Sequence, residues 1–168
     1  MSTSLTIRVS AGTGTGRTTL AAFDAALAAA GVSDFNLLRL SSIVPPGSQV
    51  LDVDGREQLR GTHGDLLYCV YAREHAVLPG HEAWAGVAWS RRNDGSGAGL
   101  FVEHEGPSRE QVATDLTHSL EDLSVTRGGA YHPEGRRIAG IACTTLPVCA
   151  VVVATFRHAG WEELDDDR

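Results

Sequence analysis

The placement of its helical segments constrains this chain most. Two stretches carry helical signals, residues 18–30 and 108–123, and a long series of short strand-like segments lies between them. A parallel sheet built from strand–helix–strand units needs a helix in nearly every connection. That alternation is missing. The pattern therefore predicts an α+β fold: a layered αββα-type sandwich of mostly antiparallel strands, with helices covering the sheet faces. The first helix is rich in alanine and leucine, which favour helix, and Gly31 supplies a stop that tolerates a left-handed backbone. The second opens with Ser108 and Gln111 at capping-box spacing. Val112, Leu116, Leu120 and Leu123 then recur at helical spacing and mark its buried face. Strands are expected at 5–9, 35–41, 49–53, 65–71, 84–89, 99–103, 137–143 and 148–155, the last two central because they are the most apolar. Residues 11–16 read as a glycine-rich loop, and 91–98 as a hairpin connection.

A chain of 168 residues, 42% of them apolar, suits one folded domain over 1–168. The net charge of −7 argues against nucleic acid, whose phosphates require clustered Lys and Arg. Part of that charge lies in an acidic end, 162–168, expected to be solvated and mobile. Cys69, Cys143 and Cys149 each fall in an apolar run without CxxC spacing, which predicts core packing and suits a reducing compartment. No charged start leads into an apolar signal segment, and no apolar stretch is long enough to span a bilayer. A cytoplasmic protein without membrane contact is expected.

Several motifs fail on inspection. The run Gly12-Thr13-Gly14-Thr15-Gly16-Arg17 lacks the lysine and the spacing of a phosphate loop. His81-Glu82 lacks the second histidine of a zinc helix, and the remaining histidines are scattered, so no metal is expected. Other residues leave two readings open. Leu20, Asp24 and Leu27 share one helix face beside Phe23; Asp24 is then either an edge residue paired with a cation or a pocket carboxylate that grips a cationic ligand. Asn36 opens a strand, or offers its amide to an oxyanion. Glu103 and Glu105 point to one side of their strand and His104 to the other; they are exposed acids or a general acid, which would need a pKa raised by burial. Ser41-Ser42 ends an apolar run just before Pro45-Pro46-Gly47. Two serines commonly just end a strand. A serine can also attack the carbonyl before it, turn the amide into an ester, and let elimination cut the chain.

The segments Ala22-Phe23-Asp24-Ala25-Ala26-Leu27 and Asn36-Leu37-Leu38-Arg39-Leu40-Ser41-Ser42-Ile43-Val44-Pro45-Pro46 resemble those of the pyruvoyl-dependent arginine decarboxylases, and the resemblance extends from the first strand to about Thr155. It implies cleavage between Ser41 and Ser42 into 1–41 and 42–168. Ser42 becomes a covalent pyruvoyl group, with neither metal nor pyridoxal phosphate, and L-arginine is converted through a Schiff base to agmatine and carbon dioxide, a step toward polyamines. It further implies that Asp24 binds the guanidinium, Asn36 aids processing or positions substrate, and Glu103 protonates the product, with Glu105 and His104 in reserve. The Gly-x-Gly segment is expected to shape a turn near the substrate. Homotrimers, or pairs of trimers, with active sites between subunits are implied as well. Two alternatives remain: a decarboxylase of another amino acid, or an unprocessed, non-catalytic trimer that binds a cationic metabolite.

Overall fold

The computed structural model describes residues 4–164. Residues 165–168 of the acidic end lie outside the described residues, while Glu162 and Glu163 belong to a short 3₁₀ turn, Trp161–Leu164. In chain order the elements are β1 (Thr6–Thr15), α1 (Thr19–Ala29), β2 (Asn36–Arg39), β3 (Ile43–Val44), β4 (Gln49–Asp52), β5 (Leu66–Ala76), β6 (Glu82–Arg92), β7 (Gly99–Gly106), α2 (Arg109–Thr126), β8 (Tyr131–Ala142) and β9 (Val148–Ala159). The strands form two sheets, ordered β2-β5-β9-β1-β4 and β3-β7-β6-β8. Among the described residues only β1–β4 and β2–β5 pair in parallel.

Three apolar clusters make four layers of this arrangement. Ile7, Val9, Val70, Ala72, Val87, Phe101 and Val152 fill the space between the sheets. Ala22, Ala26 and Leu27 of α1 pack on Leu67, Cys69, Val151 and Val153 on the outer face of the five-stranded sheet. Val112, Leu116 and Leu120 of α2 pack on Ala88, Leu100 and Val102 of the four-stranded sheet. The result is the αββα sandwich. Strand β9 is buried on both faces along Val148–Ala154, and it takes the middle of its sheet as its near-continuous apolar run requires. Ser108 caps α2, its hydroxyl accepting from Gln111 N–H at 3.2 Å.

Two sequence expectations are corrected. Residues 11–16 are not a loop, because β1 runs on to Thr15 in register with β9. Its glycines recur every second residue and turn one bare face toward α1. A Cβ on Gly12 or Gly14 would run into the helix backbone at Ala22–Ala30. The glycines therefore set how closely α1 approaches the sheet. Gly14→Ala is expected to lower stability by about 1–3 kcal/mol, the usual range for overpacking a close contact, read as a shifted denaturant midpoint. Strand β8 is also not central. It is an edge strand, begins at Tyr131, six residues before the expected start at 137, and includes Pro133. Proline cannot donate to a ladder and so suits an edge. Ala139 and Ile141 still pack inward, on the inter-sheet core.

Candidate active site

The stretch from Leu40 to Ser42 is where the chain changes sheets. Strand β2 is an edge of one sheet and β3 an edge of the other. Leu40 N–H still bonds to the Cys69 carbonyl at 2.9 Å, and Phe101 N–H already bonds to the Ser42 carbonyl at 2.9 Å. Only the two serines cross the gap. Pro45, Pro46 and Gly47, with Gly47 at φ 73°, then turn the chain away. This break is what keeps β3 to two residues.

Within the crossing, Ile43 N–H donates to the Ser41 carbonyl at 2.9 Å. This two-residue bond forms a γ-turn centred on Ser42. It directs a backbone donor at the carbonyl that precedes Ser42. The Ser42 hydroxyl donates to Glu103 Oε2 at 2.9 Å. Glu103 lies on β7 two residues beyond Phe101, on the face turned to the inter-sheet core, and its side chain is 17% exposed. Its other oxygen, Oε1, is 3.5 Å from Arg39 Nη2. The Arg39 guanidinium lies 5.1 Å from the centre of the Tyr71 ring. Tyr71 in turn packs against Phe23 of α1 at 6.4 Å.

The structure thus joins two predicted residues, Ser42 and Glu103, that are 61 positions apart. It separates their neighbours on β7. His104 turns to α2, with Nε2 2.7 Å from Ser119 Oγ, and Glu105 shares the face of Glu103 but is exposed. Asn36 stands at the far end of β2, its amide donating to the Gly64 carbonyl at 2.8 Å. Ser41 flanks Ser42 in the crossing. Asp24 is exposed on α1. Its expected apolar stripe is also corrected: Leu20 is 75% exposed, and the buried face of α1 is Ala22, Ala26 and Leu27. Small alanines against bare glycines let the helix sit close, so the larger Leu20–Asp24 flank is left to solvent.

Two contributors were missed in the sequence. Arg39 lies within the run that carries the resemblance but takes no role from it, and nothing local marks its reach to a carboxylate on β7. The Ile43 N–H carries no side-chain signal at all. Cys69, Cys143 and Cys149 are free and buried. Burial pushes the Cys69 thiol up to about 12, opposed by Arg39, and the Cys149 thiol up to about 11; both pack under α1. Among the described residues no group of three or more His, Cys, Asp or Glu could hold a metal ion.

Fold and site together describe an αββα sandwich that holds a serine hydroxyl against a carboxylate at the crossing between its two sheets. Residues 6–156 match the family described as pyruvoyl-dependent arginine decarboxylase (PvlArgDC). A Halobacterium salinarum protein named pyruvoyl-dependent arginine decarboxylase is 45% identical over 152 residues, which covers 89% of this chain and 92% of that protein. Pyruvoyl-dependent arginine decarboxylase 2 of Archaeoglobus fulgidus is 36% identical over 110 residues, 65% of this chain and 69% of its own length. The Methanocaldococcus jannaschii protein of the same family name is 32% identical over 124 residues, 74% and 72% of the two chains. The chain belongs to the pyruvoyl-dependent arginine decarboxylase family, and membership implies a covalent pyruvoyl cofactor. Among the described residues no helix is long and apolar enough to cross a membrane.

Proposed function

We propose that this chain cuts itself between Ser41 and Ser42 and then decarboxylates L-arginine to agmatine. One observation carries the reading: the Ser42 hydroxyl donates to a largely buried carboxylate, Glu103, at 2.9 Å. Glu103 is poised to take the hydroxyl proton as Oγ adds to the Ser41 carbonyl carbon. The charge that develops on the carbonyl oxygen meets the Ile43 N–H, already bonded to it. The C–N bond then breaks, leaving an ester and a free amine on Ser42. Elimination releases Ser41 as a carboxylate. Water then replaces the nitrogen of the dehydrated residue, ammonia leaves, and a pyruvoyl group caps the larger piece.

The residues present fit that group. Ser42 provides its atoms, the crossing fixes its place at the sheet edge, and Glu103 remains beside it. When formed, the group supplies a ketone that takes the substrate α-amine and draws electrons as carbon dioxide departs. Glu103 returns a proton to the product carbon. Asp24 binds the guanidinium through two parallel charge-assisted hydrogen bonds, and Asn36 positions substrate or aids the cut. Among the described residues neither is hydrogen-bonded to Ser42: the Asn36 amide is engaged by the Gly64 carbonyl, and Asp24 is exposed on α1. A trimer of protomers, in which the exposed flank of α1 meets the crossing of a neighbour, brings them together. The exposed Leu20 at 75% beside Asp24 supports such a contact.

Freshly purified protein tests the reading. Intact mass is expected to show two pieces, with a blocked N-terminus on the larger, and carbon dioxide release is expected with L-arginine in preference to lysine and ornithine. Asp24→Asn is expected to raise KM for arginine by about tenfold or more, the worth of a charge-assisted contact, while cleavage proceeds. Equal turnover of all three amino acids by wild type would assign the site to a different substrate.

A further inference from the structure

We infer that Arg39 is a positioning residue for the cut: it holds Glu103 in the orientation that receives the Ser42 proton. The inference rests on the self-cleaving reading above and extends it to a residue outside the reacting atoms. The Glu103 carboxylate is gripped at both oxygens. Oε2 accepts from Ser42 at 2.9 Å, and Oε1 faces Arg39 Nη2 at 3.5 Å. Rotation about the last bond of Glu103 breaks both contacts at once, so the arginine fixes the plane in which the serine proton is accepted.

Arg39 is itself held, although its side chain is 52% exposed. Its guanidinium stacks over Tyr71 at 5.1 Å, in the range of a cation–π contact. Tyr71 rests on Phe23 of α1, and the Arg73 guanidinium lies over the Phe23 ring at 4.5 Å from its centre. The backbone is anchored too. Arg39 is the last residue of β2, and the next N–H, that of Leu40, bonds to Cys69. The arginine thus stands at the last fixed point before the two serines cross. Among the described residues its side chain makes no hydrogen bond to the Ser41–Ser42 peptide, and it acts through Glu103. A surface arginine that merely covered Tyr71 would need no carboxylate, and the direction of its fork toward β7 would have no cause.

The charge, not the bulk, is what this role requires. Arg39→Met keeps an apolar stem of similar length and removes the cation, and with it both the ion pair to Glu103 and the guanidinium over Tyr71. Arg39→Lys keeps a cation with a different head group. The full chain is made by cell-free synthesis and sampled over time on a denaturing gel, so that the cut is watched from its start. Arg39→Met is expected to slow the cut by about ten- to a hundredfold, the effect of losing a charge-assisted contact at the barrier. Arg39→Lys is expected to recover most of the lost rate. Gel filtration and circular dichroism accompany both variants, and the lysine variant carries the comparison if the methionine variant does not fold. A lysine variant slowed as far as the methionine variant, or a methionine variant that cuts at the wild-type rate, overturns the role of Arg39 while leaving the cut itself intact. A wild-type chain that stays whole overturns both readings together.

Discussion

Ser42→Ala is expected to migrate as a single uncut band and to release carbon dioxide from arginine only at the background rate. The effect is total because the cut and the cofactor both begin from one hydroxyl. Without the hydroxyl, nothing adds to the Ser41 carbonyl, and without the cut no ketone exists to take the substrate amine. Loss of the cofactor removes the whole catalysed route, which for enzymes amounts to at least about a millionfold. The variant should fold normally, because Ser42 makes its sheet contact through its backbone carbonyl to Phe101 N–H. Intact mass, a denaturing gel and a carbon dioxide assay on one preparation read all three properties. Wild-type turnover in an uncut Ser42→Ala protein would end the self-cleaving account.

The second large effect is expected at Glu103. Glu103→Gln preserves shape and can still accept a hydrogen bond from Ser42, but it cannot take up a proton at neutral pH. The cut is expected to slow, and the fraction that does become cut should turn over about 10²- to 10⁴-fold more slowly, the contribution of a positioned general acid or base. Turnover is normalised to the cut fraction, measured by mass, so that the two losses are counted separately. Wild-type turnover per cut molecule would move the proton donor elsewhere, and Glu105, on the same face of β7, would be examined first.

Much of this was legible in the chain. The distance between two helical segments in a strand-rich sequence fixes the layer type, and the apolar run of β9 places it centrally. Ser42 and Glu103 were separately visible, one by its neighbours and the other as the end of an apolar strand. Their contact was not, because it is made across a change of sheet that no local pattern records. Strand β8 misled for a related reason. Ile138 to Ala142 are apolar enough for a centre strand, yet strand order is decided by pairing partners, and β6 is satisfied on its other side by β7. Leu20 misled because helical spacing shows which residues share a face without showing which face is buried. At α1 the bare glycines of β1 choose, and they select alanines. Arg39 stayed hidden because its value lies in reach: a long side chain at a strand end can serve a different sheet from its own.

The order of strands in the five-stranded sheet carries a consequence for the molecule that the proposed cut would leave. Residues 1–41 include β1, α1 and β2, and β1 is inserted between β9 and β4, matched to β9 from Arg8↔Thr155 to Thr15↔Val148. Breaking one peptide bond therefore cannot shed the shorter polypeptide, which is woven through the middle of its partner's sheet. It does change the molecularity of assembly. The whole chain reaches its fold as one body, but once severed and unfolded, the two polypeptides must find each other by diffusion. The proposed cut would thereby exchange a protein that can refold alone for one whose recovery depends on its own concentration.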